Sequence, residues 1–442
     1  MLLRRVIQNH SPGLQERIVS KLTWRLLPFL FLLYVIAYLD RTNVSFAALQ
    51  MRAQLGISDR AYGLGAGMFF AGYFFFQLPS NLILTRVGAR RWIAAIMFLW
   101  GVTSCSMIFA AGPRSFYLLR FLLGAAEAGF FPGIILYLKS WFPASARARA
   151  ISLFMSAAPL SGVIGGPVSG ALLNVHGAGW PGWKWLFIIE GLPAIAFGTV
   201  VALLLAESPA HAGWMSDEER ILLTDVLEAE RLATPGASAA SVKSAFLHPG
   251  IWILCAVYFG INTCVYGITL WLPTVIKSLS GLSNLTIGLL TAVPNLAAAI
   301  AMAANGYHSD LKGERRWHIV FSAVIGTCGL LLAAFSHSAF AVVLGTSLAI
   351  AGAFAMDGPF WTIPPTLLTG TAAAAGIAII NSVGNLGGFV GPYLIGFIRT
   401  ETGSFKGSML VIAALLAVSG SLILLVRLRR EHPSSANGNP LQ

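Results

Sequence analysis

The chain has 442 residues, of which 56% are hydrophobic and only 10% are charged, and its mean hydropathy is +0.75. Soluble domains carry roughly 25% charged residues, so this composition excludes a water-soluble globular protein and predicts a polytopic membrane protein. The net charge of +12 does not indicate nucleic-acid binding, because the basic residues form short clusters between apolar stretches. The four cysteines lie in apolar stretches, which is typical of packing rather than of disulfide or metal chemistry.

Twelve stretches are long and apolar enough to cross a bilayer as helices, which takes about 20 residues each. We call them spans 1 to 12 and predict them at 26–49, 61–84, 92–111, 115–138, 149–174, 184–206, 249–276, 285–306, 317–336, 339–363, 372–398 and 407–427. They lack the alternating pattern of a membrane β-barrel. The polar first ~20 residues do not resemble a cleavable signal peptide. The sequence therefore predicts an all-α membrane protein.

The basic residues of the connections predict the orientation of these spans. If the N-terminus is cytoplasmic, the inside segments hold 20 of the 29 Lys and Arg residues and the outside segments hold 7. The other two, Arg41 and Arg120, lie within spans. This asymmetry predicts that both termini are cytoplasmic.

Two motifs recur at an offset of 225 residues. Gly88, Arg90, Arg91 and Trp92 after span 2 correspond to Gly313, Arg315, Arg316 and Trp317 after span 8. Gly162 and Gly166-Pro167 in span 5 correspond to Gly387 and Gly391-Pro392 in span 11. The repeat predicts two pseudo-symmetric six-helix bundles, at 1–206 and 248–442, which rock against each other around a site near the membrane midplane.

The segment 207–247 joins the two predicted bundles. Ser216 with Glu219 forms a capping box, which predicts a short amphipathic helix that reaches about Glu230. A flexible Pro/Gly/Ala/Ser stretch is predicted at 234–241.

Four charged residues lie deep in apolar stretches and are therefore candidate functional residues. Asp40 and Arg41 are adjacent in span 1, and Arg120 and Glu127 are seven residues apart in span 4, which places them on one side of a helix about 10 Å apart. A buried Arg stays protonated and needs an anion, which Glu127 or Asp40 can supply until a substrate carboxylate replaces it. The released acid then favours its protonated form, which predicts proton coupling. The alternative is a static ion pair that fixes helix packing.

The turn after span 8, from Asn305 to Arg316, resembles the signature of the major facilitator superfamily, Gly-x-x-x-Asp-Arg-x-Gly-Arg-Arg, and keeps its acid as Asp310. The copy after span 2, from Ser80 to Arg91, is degenerate and has Thr85 at the position of the acid. The resemblance covers nearly the whole chain and implies the twelve-helix fold of that superfamily.

Within the superfamily, the segments Tyr38–Asn43, Arg120–Gly129 and Phe131–Gly133 resemble the anion:cation symporters. That resemblance implies proton-binding acids at Asp40 and Glu127 and substrate or coupling contacts at Arg41, Tyr73 and Arg120. It further implies that Trp361 and Asn381 lie near the substrate. A Gln of the sugar-acid carriers is Ala158 here, which leaves room for a less polar acid.

Further candidates rest on their position alone. Asn381 and Asn385 share one face of span 11, where buried amides bind a substrate or join helices. Tyr266 in span 7 is a candidate substrate contact, and Asp357 in span 10 is a second protonation site or an acid satisfied by backbone. Glu190 is expected to pair with Lys184 or to cap structure. The residues predicted to form a cytoplasmic gate are Arg86, Arg90, Arg91, Asp310, Arg315 and Arg316.

These observations predict a proton-coupled symporter that imports a small organic anion, such as a sugar acid, tartrate or an aromatic carboxylate, across a bacterial inner membrane. The first alternative is a proton-driven antiporter that exports a drug or metabolite, and the second is a membrane sensor that does not transport. The chain has no phosphate loop, nucleophile triad or metal motif, so we expect no enzyme activity and no cofactor besides the coupling proton. A monomer is expected.

Overall fold

A computed structural model describes residues 12–233, 239–368 and 370–426. Most of the predicted flexible stretch at 234–241 and the arginines at 427–430 lie outside the described residues. Helices α1 to α9 form spans 1 to 6: Pro12–Thr42, Val44–Leu55, Asp59–Val87, Ala89–Cys105, Pro113–Glu127, Phe130–Trp141, Ala144–Met155, Ala157–Leu172 and Gly182–Leu204. Helices α10 and α11 lie between the halves: Asp217–Ala233 and Ala239–Leu247. Helices α12 to α18 form spans 7 to 12: Pro249–Leu279, Asn284–Lys312, Arg316–Phe335, Ala339–Trp361, Pro364–Leu367, Gly370–Thr402 and Lys406–Leu422.

The described residues contain twelve helical stretches that are long and apolar enough to cross a membrane, so the predicted all-α fold is confirmed. The stretches are mostly longer than predicted. Span 1 runs over 13–55 rather than 26–49. Hydropathy marks only the part of a helix that matches the hydrocarbon, whereas the helical hydrogen bonds continue into its polar ends.

Four spans consist of two helices rather than one. Span 1 breaks at Asn43, span 4 at Ala128–Gly129, span 5 at Ser156 and span 10 after Trp361. Two of these breaks directly follow charged residues, because α1 ends at Thr42, beside Arg41, and α5 ends at Glu127. The Asn43 N–H still donates to the Leu39 carbonyl at 2.9 Å, so span 1 stays helical past Arg41 and changes only locally in geometry.

The two six-helix bundles are related by the predicted offset of 225. Span 2 covers Asp59–Val87 and span 8 covers Asn284–Lys312, so both helix ends differ by that number. The bundles meet where span 2 packs on span 11 and where span 5 packs on span 8.

Since the number of spans is even, the described chain begins and ends at the same face of the bundle, which we call the terminal face. At the opposite face the two halves are in close contact. A Cβ atom on Gly63 would lie 2.4 Å from the Pro392 carbonyl oxygen, and one on Gly166 would lie 2.5 Å from that of Gly288, so only glycine permits this approach.

Polar contacts also join the halves at the opposite face. The Tyr62 hydroxyl donates to the Leu270 carbonyl at 2.7 Å, and Arg399 pairs with Asp59 at 3.0 Å. The ion pairs near the terminal face connect residues within one half, or residues of the N-terminal half with the linker, as Arg315 does with Asp310 and Lys21 with Glu219. The structure is therefore closed at the opposite face.

Candidate functional site

A small cavity of about 70 Å³ lies between the halves, on the side of the terminal face. Among its lining residues are the predicted substrate contacts Arg41, Tyr73, Tyr266, Asn381 and Asn385. The lining also includes Tyr34, Tyr38, Ala158, Tyr258, Asn262 and Asp357. Arg41 and Asp357 are the charged residues of this lining. The cavity is therefore mostly aromatic and polar, with one cation and one acid.

Arg41 is the central cation of the cavity. It lies at the C-terminal end of α1, where the helix dipole favours a positive charge. Its Nη2 donates to Glu127 Oε1, and its Nη1 donates to the Tyr266 hydroxyl at 2.9 Å. The guanidinium carbon lies 5.2–5.5 Å from the ring centroids of Tyr38, Phe69 and Tyr73, within the range of cation–π attraction. Arg41 thus contacts the C-terminal half although it belongs to the first span.

Glu127 holds Arg41 with only one of its two oxygens. The side chain is fully buried, and Oε2 has no hydrogen-bond partner among the described residues. A buried acceptor without a partner is costly, so the carboxylate is stabilised mainly by Arg41. Of the two acids that the sequence offered as partners of a buried Arg, the structure thus pairs Glu127 with Arg41.

Asp40 lies next to Arg41 in sequence but faces the interior of the N-terminal half. Its carboxylate accepts hydrogen bonds from Trp100 Nε1 at 2.8 Å, Ser104 Oγ at 2.6 Å and Asn43 Nδ2 at 3.3 Å. Adjacent residues of a helix point about 100° apart, which explains the separation from Arg41. Asp40 is not among the residues that line the cavity.

Arg120 is fully buried and also lies outside the cavity lining. Its Nη2 donates to the Ala66 carbonyl at 3.4 Å, and its guanidinium lies 5.1 Å from the Phe69 ring centroid. Nε and Nη1 have no hydrogen-bond partner among the described residues. The substrate contact predicted for Arg120 is therefore not formed from this position in the conformation described here.

The C-terminal half contributes amide and aromatic groups to the cavity. Asn385 Nδ2 donates to Asn381 Oδ1 at 3.3 Å, so the predicted pair shares one helix face. Trp361 is not a lining residue, but its ring packs on that of Tyr258 with centroids 4.9 Å apart. The sequence analysis missed Tyr258 as a lining residue. Its helical spacing of eight residues from Tyr266 is the signal that would have found it.

The hydroxyls of Tyr38 and Tyr266 separate the main cavity from a second one of about 30 Å³ towards the opposite face. Both residues line both cavities, and Tyr38 donates to the Tyr266 hydroxyl at 3.2 Å. The two tyrosines belong to different halves. The wall between the cavities is thus a contact between the two bundles.

Residues 30–392 match the family model of the Major Facilitator Superfamily. The chain belongs to this family. A candidate tartrate transporter of Agrobacterium vitis is 48% identical to it over 93% of this chain and 92% of the relative. A quinolone resistance transporter of Acinetobacter baumannii is 37% identical over 96% and 98% of the two chains. The crystal structure of a bacterial homolog of the human lysosomal transporter Spinster shares the fold with a TM-score of 0.74 at 18% identity, over 90% and 95% of the chains.

This major facilitator protein is therefore a multi-pass membrane transporter and not an enzyme. Within the described parts of the chain, no group of three or more His, Cys, Asp or Glu side chains is arranged to hold a metal ion. The expected pairing of Glu190 with Lys184 is wrong, because six residues of helix place them on different faces. Glu190 Oε1 instead accepts from Ser169 Oγ at 2.6 Å, and the Lys184 ammonium lies 5.5 Å from the Trp183 ring centroid.

The signature turns of this facilitator fold lie near the terminal face. Arg90 lies 3.7 Å from Glu207, and Arg315 lies 2.6 Å from Asp310, so each pair joins residues of neighbouring segments. The other predicted gate residues, Arg86, Arg91 and Arg316, belong to the same two turns. These residues are predicted to close the terminal face in the conformation that is open at the opposite face, and this role stays a prediction.

Proposed function

We propose that the protein is a proton-coupled symporter of a small organic anion. The observation that carries the proposal is Arg41, a cation in the wall of the central cavity that is held by Glu127 through one carboxylate oxygen only. A carboxylate is the group that a guanidinium binds best, through paired charge-assisted hydrogen bonds. The candidate tartrate transporter from Agrobacterium vitis supports an organic acid as the substrate.

Proton coupling follows from competition for Arg41. When the substrate carboxylate binds the guanidinium, Glu127 loses its hydrogen-bond donor and its neighbouring positive charge. An isolated carboxylate in a buried site favours its neutral form, so Glu127 takes up a proton. The substrate charge and the proton then enter the site together, and neither leaves an uncompensated charge inside the membrane.

Tyr266 transmits substrate binding to the other half. Arg41 donates to Tyr266 across the interface between the bundles, and Tyr38 donates to the same hydroxyl. A substrate that draws the guanidinium towards itself weakens this contact. The wall between the two cavities then opens only when Arg41 is occupied, which is the requirement for alternating access.

We further propose that the terminal face is cytoplasmic and that the membrane is the bacterial inner membrane. The excess of Lys and Arg in the segments at this face supports this orientation. The structure would then represent the inward-open state of an importer.

The test is uptake into proteoliposomes that contain the purified protein and an internal pH dye, with no imposed gradient. Tartrate, hexonates, phthalate, hydroxyphenylacetate and nicotinate are added in turn. Internal acidification with one or a few of these acids is the expected result. Absence of any pH change with every acid of the panel would contradict the proposal.

Proton-driven export is the second candidate function. The similarity to the quinolone resistance transporter of Acinetobacter baumannii favours it. In the same proteoliposomes an antiporter would produce internal alkalinisation when a drug is added outside. Arg41 argues against a purely cationic drug, because its positive charge in the cavity wall would repel a cation.

A further inference from the structure

Asp357 is a charged residue of the cavity lining that the proposed mechanism does not use. It lies in α15, within span 10, and lines the cavity from the C-terminal half. Its Oδ1 atom is buried and has no hydrogen-bond partner among the described residues. A buried acceptor without a donor is costly unless a ligand completes it.

The backbone around Asp357 is held firmly against span 8. Asn305 Nδ2 donates to the Ala355 carbonyl at 2.7 Å, and a Cβ atom on Gly358 would lie 3.4 Å from the Cα of Gly306. The side chain therefore cannot reach a distant partner through a shift of its helix. Its free oxygen is a fixed feature of the cavity wall.

The charges of the cavity restrict what can approach Asp357. The Arg41 cation is already balanced by Glu127, so no described lining cation remains to pair with Asp357. A second ionised carboxylate beside Asp357 would be repelled, and an alkyl or plain aromatic end would leave the acceptor unsatisfied. A hydroxyl group satisfies it without either cost, and the amides of Asn381 and Asn385 in the same wall add further donors and acceptors.

We propose that Asp357 is a specificity-determining residue that accepts a hydrogen bond from a substrate hydroxyl, so that the preferred substrates are hydroxylated carboxylates. The carboxylate lies at Arg41 and the hydroxyl lies at Asp357. This inference rests on the proposed function and narrows its substrate class from organic anions to hydroxy acids. An acceptor of this kind discriminates strongly against the analogue that lacks the hydroxyl.

The experiment measures dissociation constants of the purified transporter for two matched pairs of acids by calorimetry. Tartrate is compared with succinate, and 4-hydroxyphenylacetate with phenylacetate, since the members of each pair differ only in hydroxyl groups. We expect the wild type to bind the hydroxylated member of at least one pair about ten- to a hundredfold more tightly. Asp357→Ala should remove this preference by weakening the hydroxylated member, while Asp357→Asn, which keeps one oxygen, should be intermediate.

Glu401→Gln is the matched control, because Glu401 is an exposed acid of the same half that does not line the cavity. It should keep the wild-type preference. Binding of the plain acid by Asp357→Ala shows that the variant is folded. Equal wild-type affinity for both members of each pair, or a preference that survives Asp357→Ala, would overturn the inference and leave anion transport standing. Failure of all four acids to bind the wild type would instead overturn the proposed function together with the inference.

Discussion

The two halves of the transporter share a helix pattern but differ in what they bury. The buried charged side chains of the described residues all belong to the N-terminal half: Asp40, Arg41, Arg120, Glu127 and Glu190. The C-terminal half contributes Tyr258, Asn381 and Asn385 to the cavity, and Asp357 as its charged lining residue. The buried charges of the described residues thus lie in only one of two copies of the same helix pattern.

The offset of 225 residues shows which positions of the two halves correspond to each other. At this offset Asp40 corresponds to Val265, Arg120 to Gly345 and Glu127 to Gly352. The symmetry counterpart of Arg41 is Tyr266, the residue to which Arg41 donates its hydrogen bond. Equivalent positions therefore meet at the centre of the molecule, and only one of them carries a charge.

The largest expected effect comes from removing the charge at Arg41. Arg41→Gln should weaken binding of the transported acid about a hundredfold or more, because a charge-assisted pair is lost and Glu127 is left without its cation. Tyr266→Phe, the matched change at the symmetry-related position, keeps the charge and should cost no more than about tenfold. Calorimetry on the purified variants measures both. Similar losses in the two variants would contradict the division between the halves.

Glu127→Gln should separate transport from coupling. The amide cannot release a proton, so proton-driven accumulation should disappear, while exchange of labelled substrate across the membrane should continue. Accumulation and exchange are measured in the same proteoliposomes. Normal accumulation would remove Glu127 from the coupling path.

Asp40→Asn tests whether Asp40, which lies behind the cavity, binds a coupling proton as predicted from the sequence. Substrate affinity should stay within about twofold, because Asp40 does not line the cavity. The detergent-solubilised protein should lose about 1–3 kcal/mol of stability, because the single amide nitrogen of Asn replaces one accepting oxygen and then faces the donor Trp100 Nε1 or Asn43 Nδ2. We expect accumulation to fall as well, as the sequence analysis predicts. Full accumulation in a folded variant would restrict coupling to Glu127.

A smaller effect is expected at the contact that joins the halves at the opposite face. Arg399→Gln removes an ion pair with Asp59 across the halves, whereas Arg52→Gln removes a pair with the same acid inside one half. Arg399→Gln should shift the population towards the state that is open at this face by a factor of about five or less. Arg52→Gln should have a smaller effect, because across the halves it removes a cation–π contact with the Trp271 ring at 5.6 Å. The distance between spin labels at Ser58 and Thr402 reports the shift. An equal response of both variants would show that the ion pair across the halves contributes no more to closure of this face than the ion pair within one half.

The smallest effect concerns Glu314, whose counterpart in the N-terminal half is Ala89. Partial burial alone would raise its pKa, but hydrogen bonds from the Trp317 N–H and from His318 hold the pKa of Glu314 below its ordinary value. A lowered pKa means that the stabilisation is present at pH 7 and is lost as the pH falls below about 4.5. Glu314→Gln should therefore lower the melting temperature slightly at pH 7, and the difference should shrink as the pH falls through the lowered pKa of Glu314. A difference that does not change with pH would assign the effect to packing.

Much of this architecture is predictable from the sequence, because hydropathy and an internal repeat are properties of the chain itself. Spans 2 and 8 end 225 residues apart, as the repeated turns require. The divisions of spans 1, 4, 5 and 10 were not predicted, because hydropathy measures the apolar length of a span and not local changes in its helical geometry.

The cavity was predictable in part. Arg41, Tyr73 and the two Asn residues of span 11 were assigned to it, and they line it. Whether the other predicted residues reach the cavity depends on the direction of their side chains. That direction is set by how each helix is rotated about its axis in the bundle. The rotation of span 4 buries Arg120 away from the cavity, and that of span 1 turns Asp40 towards Trp100. Spacing along a helix cannot supply this angle without the neighbouring helices.

The wall formed by Tyr38 and Tyr266 has a consequence for the path of the substrate. Because the same two residues line both cavities, an acid held at Arg41 already touches the wall that separates it from the other compartment. It need not travel far through the protein during a cycle. The membrane barrier can then change sides while the substrate hardly moves. That barrier includes the hydrogen-bonded phenol rings of Tyr38 and Tyr266, beside Val265 and Phe354, which also line both cavities.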